Sequence, residues 1–132
     1  MTAKEFTLGR AERLRSLKLI EKVFEEGKSF SVFPYRVYYL KTLTPLQFGV
    51  GVGKKNFSSA VDRNRIKRLT REAYRLQKKE IIQKITEKSN SLAIFFIYTA
   101  KELPIYSVLY EKMHVILNRL ITIADEDPAN LT

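Results

Sequence analysis

Cysteine is absent from the chain, which excludes a disulfide framework and a thiolate metal site and fits a reducing compartment. Histidine occurs once, as His114 beside Met113. In a helical stretch it reads as a surface or boundary residue rather than a general base. No apolar run approaches the ~20 residues of a membrane span, and the opening MTAKEFTLGR lacks the apolar core of a secretory signal. A soluble cytoplasmic protein with no membrane partner is expected. Acids are missing where bases crowd: between Lys54 and Lys79, ten bases face only Asp62 and Glu72, so +8 of the chain's formal charge of +10 lies there. Such a block points to a polyanionic partner.

What is present is enough for one core and no more. The 132 residues are 45% hydrophobic, which suits a single domain and argues against a charged disordered chain. Residues 1–15 carry Lys4, Arg10, Arg13 and Arg15 without a sustained period and read as a flexible basic arm. A single domain is expected over 16–123 and a disordered tail over 124–132. Ser16 caps a first amphipathic helix bearing Leu17, Ile20, Val23 and Phe24, and Gly27 ends it. SFSVFPYRVYYLKT is strand-like, with Pro34 at an edge or between two strands. LQFGVGVGK then alternates, with Phe48, Val50 and Val52 on one face and Gly49, Gly51 and Gly53 leaving the other bare to a ligand or to close internal packing. Ser58 or Ser59 caps a central helix running to about residue 85. SLAIFFIYT reads as a buried strand, and Pro104 opens a last helix with Ile105, Leu109, Met113, Ile116, Leu117 and Leu120 facing the core. The fold class is α+β, a sheet with helices packed on it, in the order α-β-β-β-α-β-α.

On the wheel of the central helix, Ile66, Leu69, Ala73 and Leu76 make the buried stripe, while Arg63, Lys67, Arg71, Tyr74, Arg75 and Lys78 share another sector with Asn64. Arg63, Lys67, Arg71 and Arg75 repeat at i, i+4, and each like-charged neighbour costs about 0.2–0.5 kcal/mol on an exposed helix. Pairs from Glu72 to Arg68 and Arg75 relieve part of that. Phosphates supply the missing counter-charge, and the guanidinium fork suits them. A strand precedes this helix, which argues against a helix-turn-helix DNA reader. A-form RNA bound through phosphates and riboses fits better.

Arg63-Asn64-Arg65, Ile66-Lys67-Arg68 and Arg71-Glu72, preceded by Gly51-Val52-Gly53-Lys54-Lys55-Asn56, resemble the signature of the bacterial ribonuclease P protein subunit. The resemblance extends over the basic arm, the helix ending KVFEEG, the strand PYRVYYL and the last helix. It implies a ribosomal protein S5 second-domain fold with a left-handed crossover through the signature helix. It also implies a protein cofactor whose partners are the catalytic RNA of ribonuclease P and the 5′ leader of precursor tRNA. In that family the RNA, with Mg2+, hydrolyses the phosphodiester joining leader to mature tRNA, and the protein supplies no catalytic or metal-binding side chain. The residues matching the RNA-contacting signature are Lys54, Lys55, Asn56, Arg63, Asn64, Arg65, Lys67, Arg68, Arg71 and Arg75. Phe24, Tyr35 and Tyr38 match the leader cleft between first helix and sheet, and Ile20 stands there where relatives often carry an aromatic.

The residues themselves show no protein-borne catalytic set. Asp62 and Glu72 are ten residues apart, about 15 Å along a helix, too far to share a paired-metal site. GVGVGKK lacks the spacing and hydroxyl of a Walker loop. A structural RNA-binding protein of ribosomal type is the alternative, and a protein-only nuclease a weaker third reading.

Overall fold

A computed structural model of the chain describes residues 9–43, 45–88 and 91–125. After a 3-10 turn at Arg10–Glu12 come α1 (Leu17–Glu26), β1 (Lys28–Val32), β2 (Tyr35–Thr42), β3 (Gln47–Val52), α2 (Ala60–Gln77), α3 (Lys79–Lys88), β4 (Ser91–Tyr98) and α4 (Tyr106–Asp125). The expected order holds, with the central helix divided in two. The sheet runs β1-β2-β4-β3. β1 and β2 form an antiparallel hairpin turned at Phe33 and Pro34, β2 is antiparallel to β4, and β4 is parallel to β3. A parallel pair needs a long crossover, and α2 with α3 supplies it.

Strand parity sorts the side chains onto two faces. Val37, Phe48, Val50, Leu92, Ile94 and Phe96 point to the side covered by α2, α3 and α4 and form the main core. The stripe of α4 is as expected at Leu109, Met113, Ile116, Leu117 and Leu120. Ile105 instead lies exposed ahead of the helix, because α4 begins only at Tyr106. Ala124 and Asp125, assigned to the tail, belong to α4, and Ala124 is fully buried. Residues 126–132 lie outside the described residues.

Among the described residues, the other face carries only α1 and the N-terminal segment, over a small cluster of Leu14, Val23 and Ala93. Ser16 caps α1, its Oγ accepting from the Leu19 amide. Gly27 ends the helix in an extended conformation (φ −78°), so no left-handed cap is involved. What demands glycine is room: a Cβ there would lie 2.4 Å from the Val23 carbonyl oxygen and 2.5 Å from that of Tyr39.

Residues 9–15 depart from the expected free arm. The Leu14 amide donates to the Phe48 carbonyl at 2.9 Å, and Arg13 bridges Phe48 in parallel sense. The segment thus covers the outer edge of β3, which would otherwise present unpaired backbone groups. Residues 1–8 lie outside the described residues.

The division of the central helix falls at Lys78, which is buried at 2% exposure. Its Nζ donates to both carboxylate oxygens of Glu12, at 2.7 and 3.0 Å. The sequence wheel put Lys78 and Tyr74 with the exposed cations. In the structure Tyr74 is buried and stacked on Phe48, with ring centroids 4.0 Å apart and planes 3° from parallel. The buried stripe of α2 is Ile66, Thr70, Ala73 and Tyr74, while Leu69 is half-buried and Leu76 exposed. The helix is therefore rolled toward its tyrosine relative to the expected orientation.

Candidate nucleic-acid interface

α2 starts where expected, with the Ser59 Oγ accepting from the Asp62 amide. Its early negative charge, Asp62, suits the positive end of the helix dipole. Because Thr70 and Tyr74 face inward, the outward sector holds Asn64, Arg65 and Arg68, with Lys67, Arg71 and Arg75 half-buried at its margin. Lys54 and Lys55 are exposed in the loop between β3 and α2, and Asn56 Nδ2 donates to the Thr99 carbonyl at 3.5 Å. Among the described residues no acidic group pairs with Lys54, Lys55, Arg65, Lys67, Arg68 or Arg71.

Two signature arginines have internal work. Arg63 turns back so that Nη1 donates to the carbonyls of Phe57 and Ser58, both at 2.8 Å, tying the basic loop to the helix. Arg75 pairs with Glu72 along the helix, its Nε 3.2 Å from Oε2. Glu72 makes no pair with Arg68, contrary to expectation. The i, i+4 series of like charges is thus broken at both ends, and the uncompensated cations gather at Arg65, Lys67, Arg68 and Arg71.

The open face of the sheet forms the second part. Phe24 projects from α1, 41% exposed, and meets Tyr38 edge-on at 4.7 Å and Phe95 at 5.4 Å between centroids. The guanidinium carbon of Arg36 stands 5.5 Å from the Tyr38 centroid, a cation-π distance. Ile20 packs in the same cluster. Tyr35, assigned to this cleft from the sequence, is on the opposite face: it is 1% exposed and its hydroxyl is bonded to Thr70 Oγ1 at 2.6 Å. Tyr38 is three positions on from Tyr35, and an odd step along a strand changes face. Burial raises the pKa of the Tyr35 phenol well above its ordinary value, the bond to Thr70 opposing.

Phe95 was not singled out from the sequence, and Arg13 and Arg15 were read only as part of a flexible basic arm. Parity on β4 separates Phe95 from its neighbour Phe96 and marks the former as the open-face ring. Phe95 also settles the bare glycine face: a Cβ on Gly49 would lie 2.8 Å from the ring, and one on Gly51 3.1 Å. Those glycines admit the protein's own aromatic. Gly53 has open space.

The two parts meet at the edge of β3. A cleft of about 300 Å3 there is lined by Arg13, Leu14, Arg15, Ile20, Gly49, Arg71 and Phe95. Arg71 reaches it from α2 and Arg13 from the segment on β3. Desolvation, then the charge of Arg13, lower the pKa of the Arg71 guanidinium, as expected of cations converging without an anion. His114 lies exposed on α4, near Asn118 and away from this site. Among the described residues no three His, Cys, Asp or Glu side chains converge to hold a metal, and no helix is long and apolar enough to cross a membrane. The arrangement offers phosphate-seeking guanidinium groups beside rings able to stack on bases.

Comparison with known proteins gives a consistent result. The family model described as Ribonuclease P matches residues 8–120. A Porphyromonas gingivalis protein named Ribonuclease P protein component is 39% identical over 129 residues, covering 95% of this chain and 92% of the relative. One of the same name from Chlorobium phaeobacteroides is 30% identical, covering 86% of this chain and 88% of the relative. Among solved structures, the Staphylococcus aureus RNase P protein at 2.0 Å superimposes with a TM-score of 0.66 at 21% identity, covering 84% of this chain and 96% of that one. A second structure of the S. aureus protein gives 0.57 at 23% identity, covering 90% and 93%.

Proposed function

This chain belongs to the ribonuclease P protein family, and we propose that it acts as the RNA-binding cofactor of that holoenzyme, helping an RNA subunit remove the 5′ leader from precursor tRNA. The observation that carries this reading is the uncompensated row Arg65, Lys67, Arg68 and Arg71 on α2, continuous through Arg71 with the aromatic cleft. The α2 face and the Lys54-Lys55 loop bind phosphates of the catalytic RNA. Guanidinium groups suit this because they bind phosphate oxygens bidentately. The cleft receives the single-stranded leader, whose bases stack on Phe24 and Tyr38 while its phosphates meet Arg13 and Arg71.

The protein's contribution is positioning. It holds the leader so that the scissile bond sits at the RNA's reactive centre, and its positive charge offsets phosphate repulsion between the two RNAs. Magnesium acts with the RNA subunit, in the cytoplasm.

Reconstitution tests this. With the cognate RNA at low magnesium, adding the protein should raise cleavage of precursor tRNA well above the RNA-only rate. No gain under those conditions would sink the cofactor role and leave a structural RNA-binding protein, and cleavage by RNA-free protein would favour a nuclease.

A further inference from the structure

Arg13 stands opposite Arg71 only because the N-terminal segment is pinned. Three contacts hold it to the rest of the fold: the Leu14 amide on the Phe48 carbonyl, Gln47 Nε2 on the Ala11 carbonyl at 3.4 Å, and the Glu12–Lys78 ion pair, while Gly9 N on Glu12 Oε2 at 2.7 Å closes a turn within the segment. The first two are ordinary hydrogen bonds at a strand edge. The ion pair differs, because the Lys78 side chain is buried and that of Glu12 only 32% exposed. A buried ammonium needs its counter-charge, so the carboxylate is held at one place. Glu12 adjoins Arg13, and fixing the first fixes the backbone of the second.

We propose that Glu12 and Lys78 are a positioning pair for leader binding: the ion pair seats residues 9–15 along β3 so that Arg13 and Arg15 converge with Arg71 on one stretch of single-stranded phosphate. The pair touches no ligand itself. It links the junction of α2 and α3 to the mouth of the cleft, so the two RNA-facing regions share one mechanical joint. This inference rests on the reading of the cleft as the leader site.

The test uses the reconstituted holoenzyme with precursor tRNA and with mature tRNA lacking a leader. Glu12→Gln, Lys78→Met and the charge exchange Glu12→Lys/Lys78→Glu are compared with the unaltered chain. The preference for leader-bearing RNA should fall several-fold in both single variants and recover in part in the exchange. The salt dependence of leader binding should flatten by about 0.7 for each phosphate no longer engaged, about 1.4 if both arginines are displaced. Should Lys78→Met fail to fold, Glu12→Gln, changed at a partly exposed side chain, carries the test. Lower thermal stability with unchanged preference and salt slope would overturn the positioning role, leaving the pair a support of the fold. If the unaltered holoenzyme shows no preference for a leader, the cleft reading falls and takes this inference with it.

Discussion

The two faces of the sheet differ in how completely they are covered. On one, α2, α3 and α4 bury Tyr35, Phe48, Tyr74 and Phe96 to 1% exposure or less. On the other, α1 and the N-terminal segment bury only Leu14, Val23 and Ala93 among the described residues, and Phe24 stands 41% exposed above Tyr38 and Phe95. Rings of the same kind serve cohesion on the first face and remain available for stacking on the second. A ring is closed into the core or left open according to parity along the strand, which residue type alone does not reveal.

Perturbing the closed face should have the largest effect on the free protein. Phe48→Ala removes a ring stacked on Tyr74 and edge-on to Phe96 and is expected to cost about 3–5 kcal/mol, read by urea denaturation. A cost below ~1 kcal/mol would mean the closed face is not the core. On the open face, Phe24→Ala should leave stability within about 1 kcal/mol but weaken leader binding by about 1–3 kcal/mol if one base is stacked there. Titration of precursor against mature tRNA measures this, and a loss shared equally by both RNAs would remove Phe24 from the leader path. Arg65→Ala and Arg68→Ala should change stability by no more than about 0.5 kcal/mol. Each should lower the salt slope of binding to the catalytic RNA by about 0.9, with Lys101→Ala as a control.

Tyr35→Phe gives the smallest expected effect on RNA binding and the sharpest contrast with Tyr38. It forfeits one buried hydrogen bond to Thr70, about 1 kcal/mol, and should leave leader binding unchanged. The phenol's pKa is raised in the fold, so its contribution is fully present below the unfolded value of about 10 and is lost as pH rises from there toward the folded value. Alkaline denaturation curves should therefore be less steep in Tyr35→Phe.

Much of this was legible in the sequence where local rules decide. Ser16 and Ser59 cap as their patterns suggest, SLAIFFIY is a buried strand, and the stripe from Leu109 to Leu120 packs. The basic face of α2 was also legible, since Arg65, Lys67, Arg68 and Arg71 find no counter-charge among the described residues. What stayed hidden depends on partners far along the chain. Lys78 reads as one more surface cation until Glu12, 66 residues earlier, is placed beside it. Tyr74 reads as exposed until Phe48 offers a ring to stack on. Tyr35 is a different case, since counting along β2 separates it from Tyr38 without any structure.

The position of β4 bears on how the molecule is made. It lies between β2 and β3 and pairs with both, so until residues 91–98 leave the ribosome the β1–β2 hairpin and β3 have no strand in common. Until then the arginine-rich helix has no completed sheet to lie on, and Phe95, the ring common to the cleft's two parts, does not yet exist. Such late, long-range closure slows folding and leaves edges open meanwhile. The nascent chain thus displays its positive charge before it has a groove, and an RNA encountered that early would meet electrostatic attraction without shape.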